Sequence, residues 1–301
     1  MSTRDGLLLV DKPAGMTSHD VVLAARRAIG EPRIGHAGTL DPFATGLLVL
    51  LLGRATRLLP YMNGEPKRYT ATIRFGVETD TDDLEGSVVR TAPPPSRQAV
   101  EDAIPALTGT IDQLPPAYSA KHVGGKRAYD LARAGETPAL AAVPVTVHEW
   151  RLGAWRDHDL DVEITCGGGT YIRALARDLG RLTGSAAHLK ALRRTAIGPF
   201  RVEDAATVSD LQEQRARLRP PLEALAGMGT QRLVPADITR VVRGQEVPAT
   251  VEGDRAALLA GDSETLVALA ERRGERWQPR VVMAKPGKEG GESTSSENSV
   301  G

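Results

Sequence analysis

The chain has 301 residues, 41% hydrophobic and 25% charged, which fits a globular protein of one large or two ordinary domains. Basic and acidic residues number 38 each, so overall charge says nothing about a polyanionic partner, and any basic surface is a local patch. The single cysteine, Cys166, excludes an intramolecular disulfide, and no Cys/His spacing marks a zinc site. The longest apolar run, Leu47 to Leu52, is too short to span a bilayer. Met1 to Asp5 lacks a basic region followed by an apolar core, so no signal peptide is expected and the expected location is the cytoplasm.

In chain order, Gly6 to Val10 reads as a short apolar strand broken by Asp11-Lys12-Pro13-Ala14-Gly15. Thr17 and Ser18 offer an N-cap, with Asp20 at capping-box spacing from Thr17, for a helix Val21 to Ile29 that ends at Gly30. Leu47 to Leu52 is a buried strand and Ala55 to Tyr61 a short helix. Tyr69, Ala71, Ile73 and Phe75 alternate with Thr70, Thr72 and Arg74, the period of a half-buried strand, which puts Tyr69 on the apolar face. Glu78 to Asp83 is acidic, turn-like and expected to be solvated. Val100 to Leu107 is a helix candidate, and residues 112 to 146 form a proline-bearing excursion with a basic, tyrosine-bearing segment.

Leu160 to Cys166 alternates again and runs into Gly167-Gly168-Gly169, after which Thr170 is expected to cap a helix with apolar positions Ile172, Leu175, Ala176 and Leu179. The pattern loosens around Pro220 to Gly229. Residues 232 to 284 read as a small β-rich unit with strands near Val241, Leu258, Leu266 and Val281, and 285 to 301 as a disordered tail.

The densest signal is Gly35-His36-Ala37-Gly38-Thr39-Leu40-Asp41-Pro42-Phe43-Ala44-Thr45-Gly46. It places one carboxylate in a loop of turn residues against a strand. Pro42 fixes its own φ and restricts Asp41. An Asp-Pro in a loop is ordinarily an Asx-turn or a cap; this density of Gly, His, Asp and Pro shifts the reading toward a site, with Asp41 as base, nucleophile or anchor. His36 and Asp41 alone are too few ligands for a metal, and no second carboxylate sits where a glycosidase needs one. Gly168-Gly169-Thr170-Tyr171-Ile172-Arg173 is a glycine-rich turn from strand to helix without the lysine of a phosphate-binding P-loop. Arg173 falls in the first helical turn, where the dipole disfavours a cation, so a carboxylate or phosphate partner and a solvated Arg weigh evenly. Lys121, His122, Lys126, Arg127 and Arg133 interleave with Tyr118 and Tyr129. A second basic run holds His188, Lys190, Arg193, Arg194 and Arg201. Each alone reads as a solvated face; together they suggest an RNA-binding patch of phosphate-neutralising cations and stacking aromatics.

The 35–46 loop resembles the catalytic loop of the TruB family of tRNA pseudouridine-55 synthases. Asp11-Lys12-Pro13-Ala14-Gly15-Met16-Thr17-Ser18, Lys67-Arg68-Tyr69, Gly169-Thr170-Tyr171-Ile172-Arg173 and Leu192-Arg193-Arg194 agree with that family in order and spacing. The resemblance covers about residues 6 to 204 and implies an α+β fold. Its catalytic domain (6–204) would be a mixed, largely antiparallel sheet with a thumb-like RNA-binding insertion at 112–146. A connecting segment (205–231) and a small β-rich domain of the PUA kind (232–284) would follow. It implies isomerisation of a T-arm loop uridine in tRNA to pseudouridine by base flipping, Asp-dependent glycosidic cleavage, uracil rotation and C–C rebonding, with no cofactor and no metal. By resemblance Asp41 is the essential carboxylate, Arg173 pairs with it, and Tyr69 stacks on the target base. Tyr171 and Leu192 line the pocket, His36 contacts or replaces flipped nucleotides, and Lys12 supports the loop or phosphates. Lys121, His122, Lys126, Arg127, Arg193 and Arg194 form the RNA-binding patch. His122 stands where the family commonly has lysine, which would weaken a phosphate contact or make it pH-dependent.

Two other readings compete. A non-catalytic RNA-binding or tRNA-folding protein on the same scaffold would have a damaged Asp41 loop, and this loop is complete. A guide-RNA-dependent synthase would carry longer terminal extensions, whereas the short start before Gly6 favours a stand-alone monomer whose partner is tRNA, with no membrane and no obligatory protein partner.

Overall fold

A computed structural model describes residues 4–62, 64–119, 121–123, 126–127, 129, 131, 136 and 139–284. The tail 285–301 and Arg133 lie outside the described residues. The chain divides into two compact units, Met1–Arg219 and Pro220–Gly301.

The first unit is built on strand β1 (Gly6–Lys12), which runs two residues further than its apolar core predicts, and helix α1 (Ser18–Ile29). The expected capping box is present: Thr17 accepts from the Asp20 backbone and Asp20 accepts from that of Thr17, while Gly30 closes the helix at φ 72°. Strands β2 (Ile34–Ala37) and β3 (Thr45–Leu52) form a hairpin whose connection holds Asp41. Every residue of β3 from Gly46 on is buried because both of its faces are covered: Leu48, Leu50 and Leu52 pack with α1. The helix expected at 55–61 is a 3-10 helix over Gly53–Tyr61.

Strand β4 (Lys67–Phe75) turns Tyr69, Ala71, Ile73 and Phe75 into the main core, as the alternation predicts. Strands β5 (Val77–Thr79) and β6 (Val88–Thr91) make a separate hairpin, and α2 (Arg97–Ala103) continues as a 3-10 turn to Leu107. Strand β7 (Gly109–Gln113) pairs with the far end of the excursion, since Gln113 lies opposite Val143. Between β7 and that far end lies a short hairpin, β8 (His122–Val123) with β9 (Lys126–Arg127). Strands β10 (Val143–Arg156) and β11 (Asp159–Cys166) lead to helix α3 (Ile172–Leu182) and strand β12 (Ala187–Ile197), followed by β13 (Phe200–Arg201), β14 (Ala206–Thr207) and α4 (Val208–Gln212).

These strands make one sheet in the order β14-β1-β3-β12-β4-β11-β10-β7, with β2 on β3 and β13 on β12. Only β1–β14 and β3–β12 are parallel, so the sheet is mixed and largely antiparallel, and the fold is α+β. Helix α3 packs Leu175, Ala176 and Leu179 onto the core face around Tyr69. Residues 205–219 belong to this first unit, because Ala206 and Thr207 extend the sheet beside Val10 and Asp11.

The second unit contains β15 (Gly229–Leu233), α5 (Pro235–Val242), β16 (Val247–Pro248), β17 (Arg255–Ala260), β18 (Leu266–Arg273) and β19 (Arg276–Val282), a five-stranded β-rich layer in the order β15-β17-β18-β19-β16. Val241, expected in a strand, is buried on helix α5: Pro235 at the helix start and the Ile238, Val241 and Val242 spacing follow a helical period. The buried Trp277 donates its indole N–H to Gln231 at 2.7 Å, which anchors β19 to β15.

Candidate active site

The site forms where the β2–β3 connection meets the start of α3. Arg173 reaches across 132 residues of sequence to grip Asp41 with two bonds, Nε to Oδ2 at 2.9 Å and Nη2 to Oδ1 at 3.1 Å. Its other donors go to the carbonyls of Thr81 (2.8 Å) and Tyr118 (2.9 Å), and Nη1 also stands 3.5 Å from Asp83 Oδ2. A guanidinium with every arm engaged and only 4% of its surface exposed is a fixed clamp. The Asp41 side chain keeps 34% of its surface open, so the carboxylate is held on one side and accessible on the other. Of the two partners that Arg173 left open in the sequence, the structure supplies the carboxylate.

The loop around Asp41 is held by its carbonyls. Lys12, fully buried, donates to the carbonyls of Pro13 (3.0 Å), Met16 (2.6 Å) and Pro42 (3.2 Å). Arg194, 1% exposed, donates to Leu47 (2.8 Å), Gly38 (3.1 Å) and Thr39 (3.4 Å). Ser18 accepts from the Leu40 amide and donates to its carbonyl, and the Gly15 amide bonds the Pro42 carbonyl. Gly46 adopts φ 102°, and a Cβ there would sit 2.3 Å from the Arg194 carbonyl oxygen, so only glycine lets β3 and β12 approach this closely.

Burial pulls the Lys12 ammonium down to about 8, against the opposing pull of Asp41. Burial also pushes the Tyr69 phenol above its ordinary value, with Arg194 opposing, so Tyr69 is a neutral hydroxyl at the pocket wall. His36 is held below its ordinary value by burial, and its Nδ1 is enclosed without a hydrogen-bond partner among the described residues. Leu192, 8% exposed, shares the core cluster with Tyr69 and Leu40. Tyr171 is half-buried and forms the N-cap of α3.

Three sequence expectations change here. Thr170 does not cap α3: its hydroxyl bonds back to Gly167, the cap position is Tyr171, and no side chain caps it. The Glu78–Asp83 turn is solvated only at its tip, Asp80, since Glu78, Asp82 and Asp83 are each about 5% exposed or less. Helix α3 presents Arg173, Arg177 and Arg181 at four-residue spacing, and they pair with Asp83, Asp82 and Glu78 respectively. Burial still pushes Asp82 up to about 6 despite those cations. The second basic run is not an open patch. Arg194 is internal, Arg193 forms a two-bond pair with Asp11, Lys190 pairs with Asp159, and His188 is buried on the Val77 carbonyl. Lys121 is exposed, while the side chains of His122, Lys126 and Arg127 lie outside the described part of the structure.

One functional residue escaped the sequence reading. Gln113, fully buried on β7, accepts from the Tyr171 amide at 2.8 Å and donates to the Tyr171 carbonyl at 3.1 Å. It does for α3 what a capping side chain does elsewhere, and it fixes the turn from which Arg173 departs. A buried glutamine at the end of a strand gave no local signal for this role.

The TruB family pseudouridylate synthase N-terminal domain matches residues 26–172, and the tRNA pseudouridylate synthase B C-terminal domain matches 173–226. The tRNA pseudouridine synthase B of Thermobifida fusca (strain YX) is 47% identical over 93% of this chain and 99% of its own length. That of Arthrobacter sp. (strain FB24) is 44% identical over 94% and 99%. Among solved structures, an H/ACA RNP bound to a substrate RNA containing 2′-deoxyuridine matches with a TM-score of 0.70 at 21% identity, over 93% of this chain and 86% of that one, a likeness of fold. With the clamped Asp41 inside the matched region and relatives alike over nearly their whole length, the chain belongs to the TruB family of pseudouridylate synthases.

Proposed function

We propose that this chain converts the T-arm loop uridine of tRNA, position 55, to pseudouridine, acting as a stand-alone monomer in the cytoplasm. The observation that carries the reading is the half-open Asp41 carboxylate, clamped through two bonds by a buried Arg173 in a loop whose carbonyls are locked by Lys12 and Arg194. Preorganised charge of this kind is what stabilises a reacting sugar carbon without reorganisation during the reaction.

In this reading the uridine leaves the loop stack at a cost of a few kcal/mol and enters beside Tyr69. Asp41 acts at the ribose, the N1–C1′ bond breaks, and the uracil turns against the Tyr69 ring and Leu192. C5 then bonds C1′, C5 loses its proton and N1 gains one, so the reaction balances without a redox partner. Tyr69, neutral through burial, is placed to move that proton.

The test uses T-arm stem-loop RNA tritiated at uridine C5. Wild-type enzyme releases tritium and Asp41→Asn releases none while still binding the RNA. Undiminished release from the variant overturns the assignment of Asp41, and binding without release by the wild type favours a non-catalytic RNA-folding protein.

A further inference from the structure

Four cations surround the catalytic loop, and three are consumed by the protein. Lys12 has its three donors on carbonyls, Arg194 has carbonyls on all three nitrogens, and Arg173 is clamped to Asp41 and its neighbours. The fourth, Lys67, starts strand β4 two residues before Tyr69 and is half-buried. Among the described residues it has no hydrogen bond and no ion pair. A partly buried ammonium without an acceptor is costly, and burial together with Arg194 pulls it below its ordinary value.

The surroundings give that ammonium room to receive a ligand. Lys67 lies between two glycines from different parts of the site. A Cβ on Gly38 would come within 3.4 Å of its Nζ, and one on Gly168 within 4.0 Å. Gly38 sits at φ 84°, three residues before Asp41. Lys67 lines a pocket of about 370 Å³ with Gly38, Glu65, Leu59, Met62 and Ile197. The one carboxylate in that pocket, Glu65, accepts from the Gly168 amide at 2.7 Å, and its charge only partly offsets the pull of burial and Arg194 on Lys67.

We infer that Lys67 and the Gly38 backbone form a phosphodiester-binding subsite for the RNA strand that delivers the target uridine to Asp41. The inference rests on the RNA-modifying reading above. A phosphate flanks the target ribose on each side, so the strand that brings C1′ to Asp41 carries an anion past Gly38. Glycine at 38 leaves the oxygens free to reach Nζ, and the nearby Arg194 adds positive potential without donating. The subsite also gives the Lys67-Arg68-Tyr69 stretch two jobs on one face: Tyr69 meets the base and Lys67, two residues earlier, meets the backbone.

The experiment measures Kd for the T-arm stem-loop across a KCl series with wild type, Lys67→Gln and Lys67→Arg, alongside tritium release. Lys67→Gln is expected to weaken binding about tenfold, as for a hydrogen bond to a charged group. It should also flatten the slope of log K against log salt by about 0.7–0.9, one phosphate contact. The loss should fall on Kd and KM ahead of kcat, and Lys67→Arg should restore most of the slope. Independently, wild-type enzyme is assayed with RNA carrying a single methylphosphonate at each linkage flanking the target uridine. One neutral linkage should reproduce the Lys67→Gln loss and add nothing to it in the variant. An unchanged salt slope, or a methylphosphonate scan in which neither flanking linkage matters to the wild type, overturns the subsite. Failure of the wild type to release tritium instead overturns the RNA-modifying reading itself.

Discussion

Asp41 is flanked by two sets of buried cations that solve the same problem differently. On the loop side, Lys12 and Arg194 are buried against backbone carbonyls and, among the described residues, form no ion pair. On the helix side, Arg173 and Arg177 are buried against the carboxylates of Asp41, Asp83 and Asp82, and the more exposed Arg181 caps the buried Glu78. The carbonyl-bound cations fix the path of a main chain, while the carboxylate-bound cations fix the angle of a helix and the orientation of Asp41. Deletions on the two sides therefore leave different debris. Removing a cation from the loop side strands neutral acceptors, at about 1–3 kcal/mol. Removing one from the helix side strands a buried charge, at about 3–5 kcal/mol.

The sharpest break of that comparison is Arg177→Met. It strips Asp82 of its 2.9 Å partner and should lower the unfolding free energy by about 3–5 kcal/mol in urea denaturation. Adding Asp82→Asn should recover part of the loss, because the stranded charge goes with it. An Arg177→Met variant as stable as wild type would show that the helix side does not depend on paired charge. Next in size is Gly46→Ala, where the new Cβ meets the Arg194 backbone at 2.3 Å and a positive φ. The φ alone costs of order 1–3 kcal/mol, and the enforced shift between β3 and β12 should lower tritium release along with thermal stability. Arg194→Met is expected to be milder for stability, at about 1–3 kcal/mol, yet severe for turnover, because Gly38 and Thr39 lose their tether while Arg173 keeps its grip on Asp41. Equal loss of stability and turnover would erase the distinction between the two sides.

The two sides also differed in how well the sequence revealed them. Asp41, Arg173 and Tyr69 were legible because each sits in a short motif whose residue types constrain one another, and α1 was legible from Thr17, Asp20 and Gly30. The helix-side network was not, since Glu78–Asp83 looks like any acidic turn until α3 is placed over it. The four-residue spacing of Arg173, Arg177 and Arg181 along a largely apolar helix was the available signal. Arg193 and Arg194 were read together as surface, but neighbours on a strand face opposite ways: one meets Asp11 at the surface and the other is swallowed by the loop. Gln113 was invisible because its role depends on a tertiary meeting of β7 with the start of α3.

The smallest effect expected, and the one that separates geometry from stability, is the response of Lys12 to pH. Its folded value is about 8 against 10.5 in the unfolded chain. Between these values the unfolded chain binds more protons, so this group's contribution to stability rises as pH rises from about 8 toward 10.5. Activity should move the other way. The ammonium has three donors for the carbonyls of Pro13, Met16 and Pro42, and the neutral amine has two, so one tether of the Asp41 loop loosens as the pH passes 8. The expected profile is a decline in kcat/KM with a midpoint near pH 8 that is absent in Lys12→Met, while melting temperature over the same range shows no matching fall attributable to Lys12. A decline of both together, or an alkaline limb that survives in Lys12→Met, would place the titrating group elsewhere and leave the loop side held by Arg194 and Ser18 alone.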